Sequence, residues 1–357
     1  LLVLFSSQPV VQTRCIFHQM WGALLDQLQL PASKNCPNAE EDVARITGDV
    51  LDASSLVRDE GAWRLRQQCD VWGCWNCTPL QPEDLGSSED VPEFQRRDFI
   101  LKGYRLYTCG WSSCLRSTLR LHNETVNIWT HGLGVLLVAY RGYISFTDHR
   151  TRSLQQAGAL TEEGILIVLL YLVTLLCLML STLFHTRSCD TEKVCYYCFY
   201  ADLFGVILLL VVSLCVGIAI CLRCFPLARW TFVICTVLQV FILSAAVFLP
   251  RISDSARAVV FVLCALYGLL PLGYVYLMGP KLELDLELLL PAVGYMLLWY
   301  LSGVAAYVAR FPEFLAPGSF DYFGQSHNIW HICVLAGMLI WINCAQKLAE
   351  LNSGTLC

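Results

Sequence analysis

Three histidines and two oxygen-bearing side chains lie where this sequence passes from polar stretches into uncharged apolar ones. Ser326-His-Asn-Ile-Trp-His331 opens a run without Asp, Glu, Lys or Arg that extends from Tyr322 to Gln346. His327 and His331 are four apart, so on a helix they lie on one face, about 6 Å apart along the axis. Imidazoles at the mouth of a transmembrane helix are costly unless they bind something. Spacing alone leaves two readings: metal ligands, or interfacial histidines bonded to water and headgroups. His185, Ser181 and Asp202 are the other candidates. Ser181 is four residues before His185 and shares its helix face.

The elements that carry these residues are membrane spans. The chain of 357 residues is 56% hydrophobic and 15% charged, against about 25% charge in a soluble domain. Its mean hydropathy is +0.54. Seven spans are expected, at about 126–147, 164–184, 203–222, 230–249, 258–278, 288–309 and 323–345. Each is about 20 residues or longer, enough to cross a core of about 30 Å. The fold class is an all-α seven-transmembrane helix bundle. Residues 1–90 read as a poorly ordered region, with one amphipathic helix possible over Ala39–Leu65. Leu1–Phe5 is too short for a signal-peptide core. Residues 91–124 form a basic juxtamembrane segment, expected as helices lying in the interface. Residues 125–346 are the bundle and 347–357 a short tail.

Arg96, Arg97, Lys102, Arg105, Arg116 and Arg120 place the N-terminus in the cytosol and, with seven spans, the C-terminus on the lumenal or extracellular side. That orientation is opposite to a G-protein-coupled receptor. It also leaves Asn76 and Asn123 without need of glycosylation. No Asp-Arg-Tyr follows the third span, and no mid-span Lys is present to hold retinal. Nothing in the sequence points to nucleic acid.

The end of an even span and the start of an odd span share a membrane face. His185, Asp202, His327 and His331 therefore converge at one face, with Glu124, Asn127 and His131 at the start of the first span. The opposite ends are expected to lack ionisable groups apart from Arg141. Three neutral imidazoles suit zinc with an open fourth position. Zinc in that setting lowers the pKa of water to about 7. Asp202 would orient or deprotonate that water, and Ser181 would donate to it or to a developing oxyanion. Glu124, Asn127 and His131 share a helix face and read as capping and packing, His131 as a hydrogen-bonded core histidine.

The nineteen cysteines form no compact disulfide framework. Cys69, Cys74 and Cys77 have the spacing of a partial metal site but no evident fourth ligand. Cys109, Cys114, Cys189, Cys195 and Cys198 flank the cytosolic face as reduced thiols or palmitoylation candidates. Cys221 and Cys224 face the side where oxidation is possible.

Several stretches carry a resemblance. Glu124-Thr-Val-Asn127-Ile-Trp-Thr130-His131, Ser181-Thr-Leu-Phe-His185, Asp202 followed by Gly205, and Phe320-Asp-Tyr-Phe-Gly-Gln-Ser326-His327-Asn-Ile-Trp-His331 resemble the progestin and adipoQ receptor family, which includes the adiponectin receptors. Gly103-Tyr-Arg105 and Phe311-Pro-Glu-Phe-Leu-Ala-Pro-Gly318 fit it too, and the likeness covers Val91 to Ala345. Cys114-Leu-Arg-Ser117 and Asn127-Ile-Trp-Thr-His-Gly132 are most similar to the family's fourth member, with the third, a Golgi protein, as runner-up. The resemblance implies seven helices, a cytosolic N-terminus, and zinc on His185, His327 and His331 with Asp202 and Ser181 beside it. It also implies kinship with alkaline ceramidases. The chain departs from the family's frequent Leu-Asp-Tyr at Ala201-Asp202-Leu203, which removes a tyrosine from the lipid contacts expected there.

Two functions follow. One is a receptor with zinc-dependent amide hydrolase activity on a ceramide-like lipid. The other is a non-catalytic receptor or Golgi scaffold in which zinc is structural. The ligand would then be a small hydrophobic molecule or a protein, met at an acidic outer loop (Glu283, Asp285, Glu287), with cytosolic protein partners engaging residues 1–124. Transport finds no support in a broken or repeated helix pair. The lipid bilayer is the surrounding in every case, in the Golgi or the plasma membrane.

Overall fold

The computed structural model describes residues 85–106, 110–147, 162–248, 252–278 and 286–352. Ala39–Leu65, Cys69, Cys74, Cys77, Asn76, Cys109, Glu283 and Asp285 lie outside the described residues. The described chain opens with a strand pair, β1 (Leu85–Ser87) and β2 (Lys102–Arg105), which are antiparallel. The helices that follow are α1 (Trp111–Ser117), α2 (Thr125–Thr147), α3 (Glu162–Arg187), α4 (Glu192–Cys221) and α5 (Pro226–Phe248). After them come α6 (Asp254–Leu266), α7 (Leu269–Met278), α8 (Leu286–Ala309) and α9 (Ser326–Asn352).

This is a multi-pass membrane bundle. Among the described residues, α3, α4, α5, α6 with α7, α8 and α9 make six units long and apolar enough to cross a membrane. They are apolar nearly all round, as helices facing lipid must be. Phe241, Leu277 and Leu298 point outward on this belt. α2 has 23 residues, about 34 Å of helix. Asn127, His131 and Arg141 make it less apolar than the six. It packs against α3 and α9. The buried core runs between helices and includes Val138, Leu170, Leu178, Val216 and Ile342.

The fifth unit is not one helix. The sequence led us to expect a single span over 258–278, but α6 ends at Leu266 and α7 begins at Leu269. Pro271 has no N–H to donate to the carbonyl of Tyr267, so the chain tightens there. Leu270 N–H takes that carbonyl instead, at 2.9 Å. Gly268 sits at the break, and a Cβ there would lie 2.9 Å from Leu214 on α4.

Close approach also fixes α3 against α4. A Cβ on Gly205 would meet the backbone of Cys177 at 3.0 Å. Gly205 is three residues after Asp202, and Cys177 four before Ser181, so this contact brings Asp202 and Ser181 to one seam.

The segment before α2 is a folded cap rather than a set of interfacial helices. Val91, Ile100 and Tyr104 form a small core. Tyr104 accepts from Arg97 N–H at 2.9 Å and donates to the Ile100 carbonyl at 3.0 Å. Asp321, in the loop before α9, accepts from the N–H groups of Leu101 and Lys102, each at 2.9 Å. Arg105 is buried. Its guanidinium donates to the carbonyls of His185 (2.7 Å) and Thr186 (3.0 Å) and to the hydroxyls of Ser117 (2.9 Å) and Ser188 (3.1 Å). A positive charge here satisfies the orphan carbonyls at the C-terminus of α3 and complements its dipole. Arg116 and Arg120 remain exposed.

The opposite ends do carry charge besides Arg141. Arg229 in the first turn of α5 pairs with Glu162 in the first turn of α3. Cys224 is disulfide-bonded, whereas Cys221 is free and buried, so these two are not joined to each other. At the histidine end, the side chains of Cys114, Cys189 and Cys195 are buried, which removes them as palmitoylation sites. Cys198 is half-buried.

Candidate metal centre

Each histidine is set by a helix end. His185 occupies the last turn of α3, whose carbonyls Arg105 caps. His327 and His331 lie in the first turns of α9. That helix starts at Ser326, whose N–H donates to Glu313 at 2.7 Å and whose hydroxyl also binds this carboxylate. Gln325 adds a bond from its side-chain amide to the Asn123 carbonyl, at 2.9 Å. Both helix ends are thus tied to the cap and to the start of α2.

The three imidazoles converge. Nε2 of His327 is 3.3 Å from Nε2 of His185 and 3.2 Å from Nε2 of His331. One nitrogen from each lies within 4.8 Å of the others, and His185 and His331 are buried. Two nitrogens about 2.0–2.1 Å from a tetrahedral zinc stand about 3.3 Å apart, so this donor set fits zinc. The group can hold a metal ion.

The outer nitrogens are engaged elsewhere. His185 Nδ1 is 2.8 Å from Glu124 Oε2. That same oxygen accepts from Asn127 Nδ2 at 2.6 Å, and Asn127 Oδ1 accepts from Asn328 Nδ2 at 2.7 Å. The chain of bonds crosses from α3 through α2 to α9 and ends at the residue after His327. Thr130 Oγ1 lies 3.3 Å from His331 Nδ1. Burial works against the charge on Glu124, yet His185 beside it holds its carboxyl well below the usual carboxylate range. An ionised Glu124 accepts a hydrogen bond from Nδ1–H, which leaves Nε2 bare and able to ligate a metal ion. The sequence suggested capping and packing for Glu124; the structure makes it the residue that orients His185.

The expected site residues are brought together. Ser181 faces Asp202 across the α3–α4 seam, with His185 nearby. Asp202, Ser181, His327, His331 and His131 line one cavity of about 310 Å³. Its α4 wall runs from Phe199 to Cys221, about 33 Å of helix, and is otherwise mainly apolar. The metal end is polar and the remainder greasy, which suits an amphipathic molecule with a long chain.

Two residues at this end were missed. Arg257, in the first turns of α6, lines the cavity with its guanidinium 5.5 Å from the Phe199 ring and its Nε donating to the Ala246 carbonyl at 3.1 Å. The parity of spans that grouped the histidines would have found it, since the fifth span also starts at this face. Tyr307 has its ring 5.4 Å from that of His327. A tyrosine near the end of an apolar run gave no signal. His131 is buried as expected, but it stacks on His331 at 3.8 Å with 15° between planes, without the hydrogen bonds of a core histidine.

A sequence profile described as Haemolysin-III related matches residues 119–342. Curated relatives agree. Progestin and adipoQ receptor family member 3 of Homo sapiens is 30% identical over 266 residues, 72% of this chain and 80% of the relative. The adiponectin receptor protein of Drosophila melanogaster is 29% identical over 318 residues, 86% and 67% of the two chains. Heptahelical transmembrane protein 1 of Arabidopsis thaliana is 27% identical over 278 residues, 73% and 80%.

Proposed function

Because the chain belongs to the haemolysin-III-related family of progestin and adipoQ receptor proteins, we propose that it is a seven-span membrane receptor with zinc-dependent amide hydrolase activity on a ceramide-like lipid. The observation that carries this reading is the junction of a three-histidine nitrogen group with Asp202 and Ser181 at the polar end of a long apolar cavity. His185, His327 and His331 would hold zinc, which when bound supplies Lewis acidity and an acidified water. Asp202 takes and returns protons at the amide nitrogen and the attacking water. The Ser181 hydroxyl sits beside Asp202 and donates to developing charge on the carbonyl oxygen. The apolar walls hold the acyl chain and exclude bulk water.

In this reading α2 is the first of seven spans. The basic residues of the cap favour a cytosolic histidine end. A disulfide-bonded Cys224 at the other end supports the same orientation, since disulfides persist in oxidising compartments. The protein would reside in the Golgi or the plasma membrane.

One observation favours a second reading. The metal ligands come from α3 and α9, so zinc would also tie together helices distant in sequence, as a structural ion does in a receptor or scaffold without turnover. Metal removal separates the two. Under the hydrolase reading, chelation of purified protein abolishes N-acyl sphingosine hydrolysis and one equivalent of zinc restores it. Zinc-loaded, folded protein without turnover would leave only the structural role.

A further inference from the structure

We propose that His131 is the hydrogen-bonding residue that recognises the hydroxyl or amide group of the bound lipid. The inference rests on the reading that the cavity takes an amphipathic lipid; it does not depend on the metal. His131 is 4% exposed, and neither ring nitrogen has a hydrogen-bond partner of ordinary geometry. The polar side chains near it at the start of α2 are engaged: Glu124, just before the helix, with His185, Asn127 with Asn328, and Thr130 with His331. His131 stands outside the group of three ligating nitrogens yet lines the cavity beside them.

Packing does not account for a histidine here. Its ring lies nearly parallel to that of His331, a contact a phenyl ring makes equally well. What phenylalanine lacks is the pair of nitrogens, and a buried polar group without a partner is unfavourable. A lipid in the cavity is the partner that removes this cost. A neutral imidazole presents one N–H donor and one bare acceptor. A hydroxyl or an amide answers both, whereas a carboxylate only accepts and a hydrocarbon does neither. His131 therefore favours a lipid with a hydroxyl or amide near the metal end over a plain fatty acid.

The test uses the full chain purified in detergent, with radiolabelled N-palmitoyl sphingosine and palmitic acid as probes, for wild type, His131→Phe and His131→Gln. Zinc is counted on every sample. The Phe variant is expected to keep its fold and its zinc, to bind the sphingosine lipid about tenfold more weakly, and to change palmitate binding by less than about threefold. The Gln variant, which has a donor and an acceptor, is expected to recover most of the lost affinity. Unchanged binding of N-palmitoyl sphingosine by His131→Phe would overturn the proposal. Equal losses for both lipids would do the same, as would a wild type that binds neither. A wild type without zinc that still shows the split would remove the metal and keep the role of His131.

Discussion

Asp202→Asn is expected to lower lipid amide turnover by about 10²–10⁴-fold, the usual worth of a positioned proton-transfer group, while zinc stays bound. The carboxyl group is not among the three converging nitrogens, so its loss leaves the ligand set intact. Asn is nearly isosteric and still bonds to Ser181, so the α3–α4 seam made by Gly205 and Cys177 keeps its packing. What disappears is the capacity to take up a proton. Thermal unfolding and zinc content of the variant should match wild type, and only turnover should fall. Turnover within about threefold of wild type would show that Asp202 moves no proton in the slow step.

The second large effect is on the metal rather than on the chemistry. Glu124→Gln is expected to weaken zinc binding by about 10–100-fold, as loss of a carboxylate behind a metal-bound histidine generally does. Glu124 Oε2 gathers His185 Nδ1 and Asn127 Nδ2 at 2.8 and 2.6 Å, and through Asn127 it is linked to Asn328. A neutral carboxamide keeps the shape but loses the charge that stabilises a cation-bound imidazole. Glu124→Ala should be worse, because it strands two buried donors. Competition for zinc against a chelator of known affinity measures both variants. A wild-type zinc affinity in Glu124→Gln would reduce the contact to capping.

The histidine group was legible in the sequence for two physical reasons. His327 and His331 sit four apart at the start of an uncharged run, and span parity alone brings His185 and Asp202 to the same face. Side-chain partners across elements were not legible. Arg105 looked like one more basic residue of a positive-inside stretch, but it is buried and caps the helix that carries His185. Glu124 looked like a helix cap because a hydrogen bond to a residue 61 positions away leaves no local pattern. The strand pair before α2 was hidden because Gly103, Tyr104 and Arg105 are buried in succession, which leaves no alternation of apolar and polar residues to mark a strand. The break in the fifth span did carry a signal: Gly268 with Pro271 inside an apolar run marks a place where an α-helix tightens or ends.

The most direct measurement is zinc per chain in detergent for wild type and for the double variant His327→Ala/His331→Ala, with N-acyl sphingosine hydrolysis assayed on the same samples. The predicted result is about one zinc per wild-type chain, as one three-nitrogen site requires, with zinc and hydrolysis lost together in the double variant. Folded wild-type protein that holds no zinc would contradict the metal centre and the hydrolase built on it.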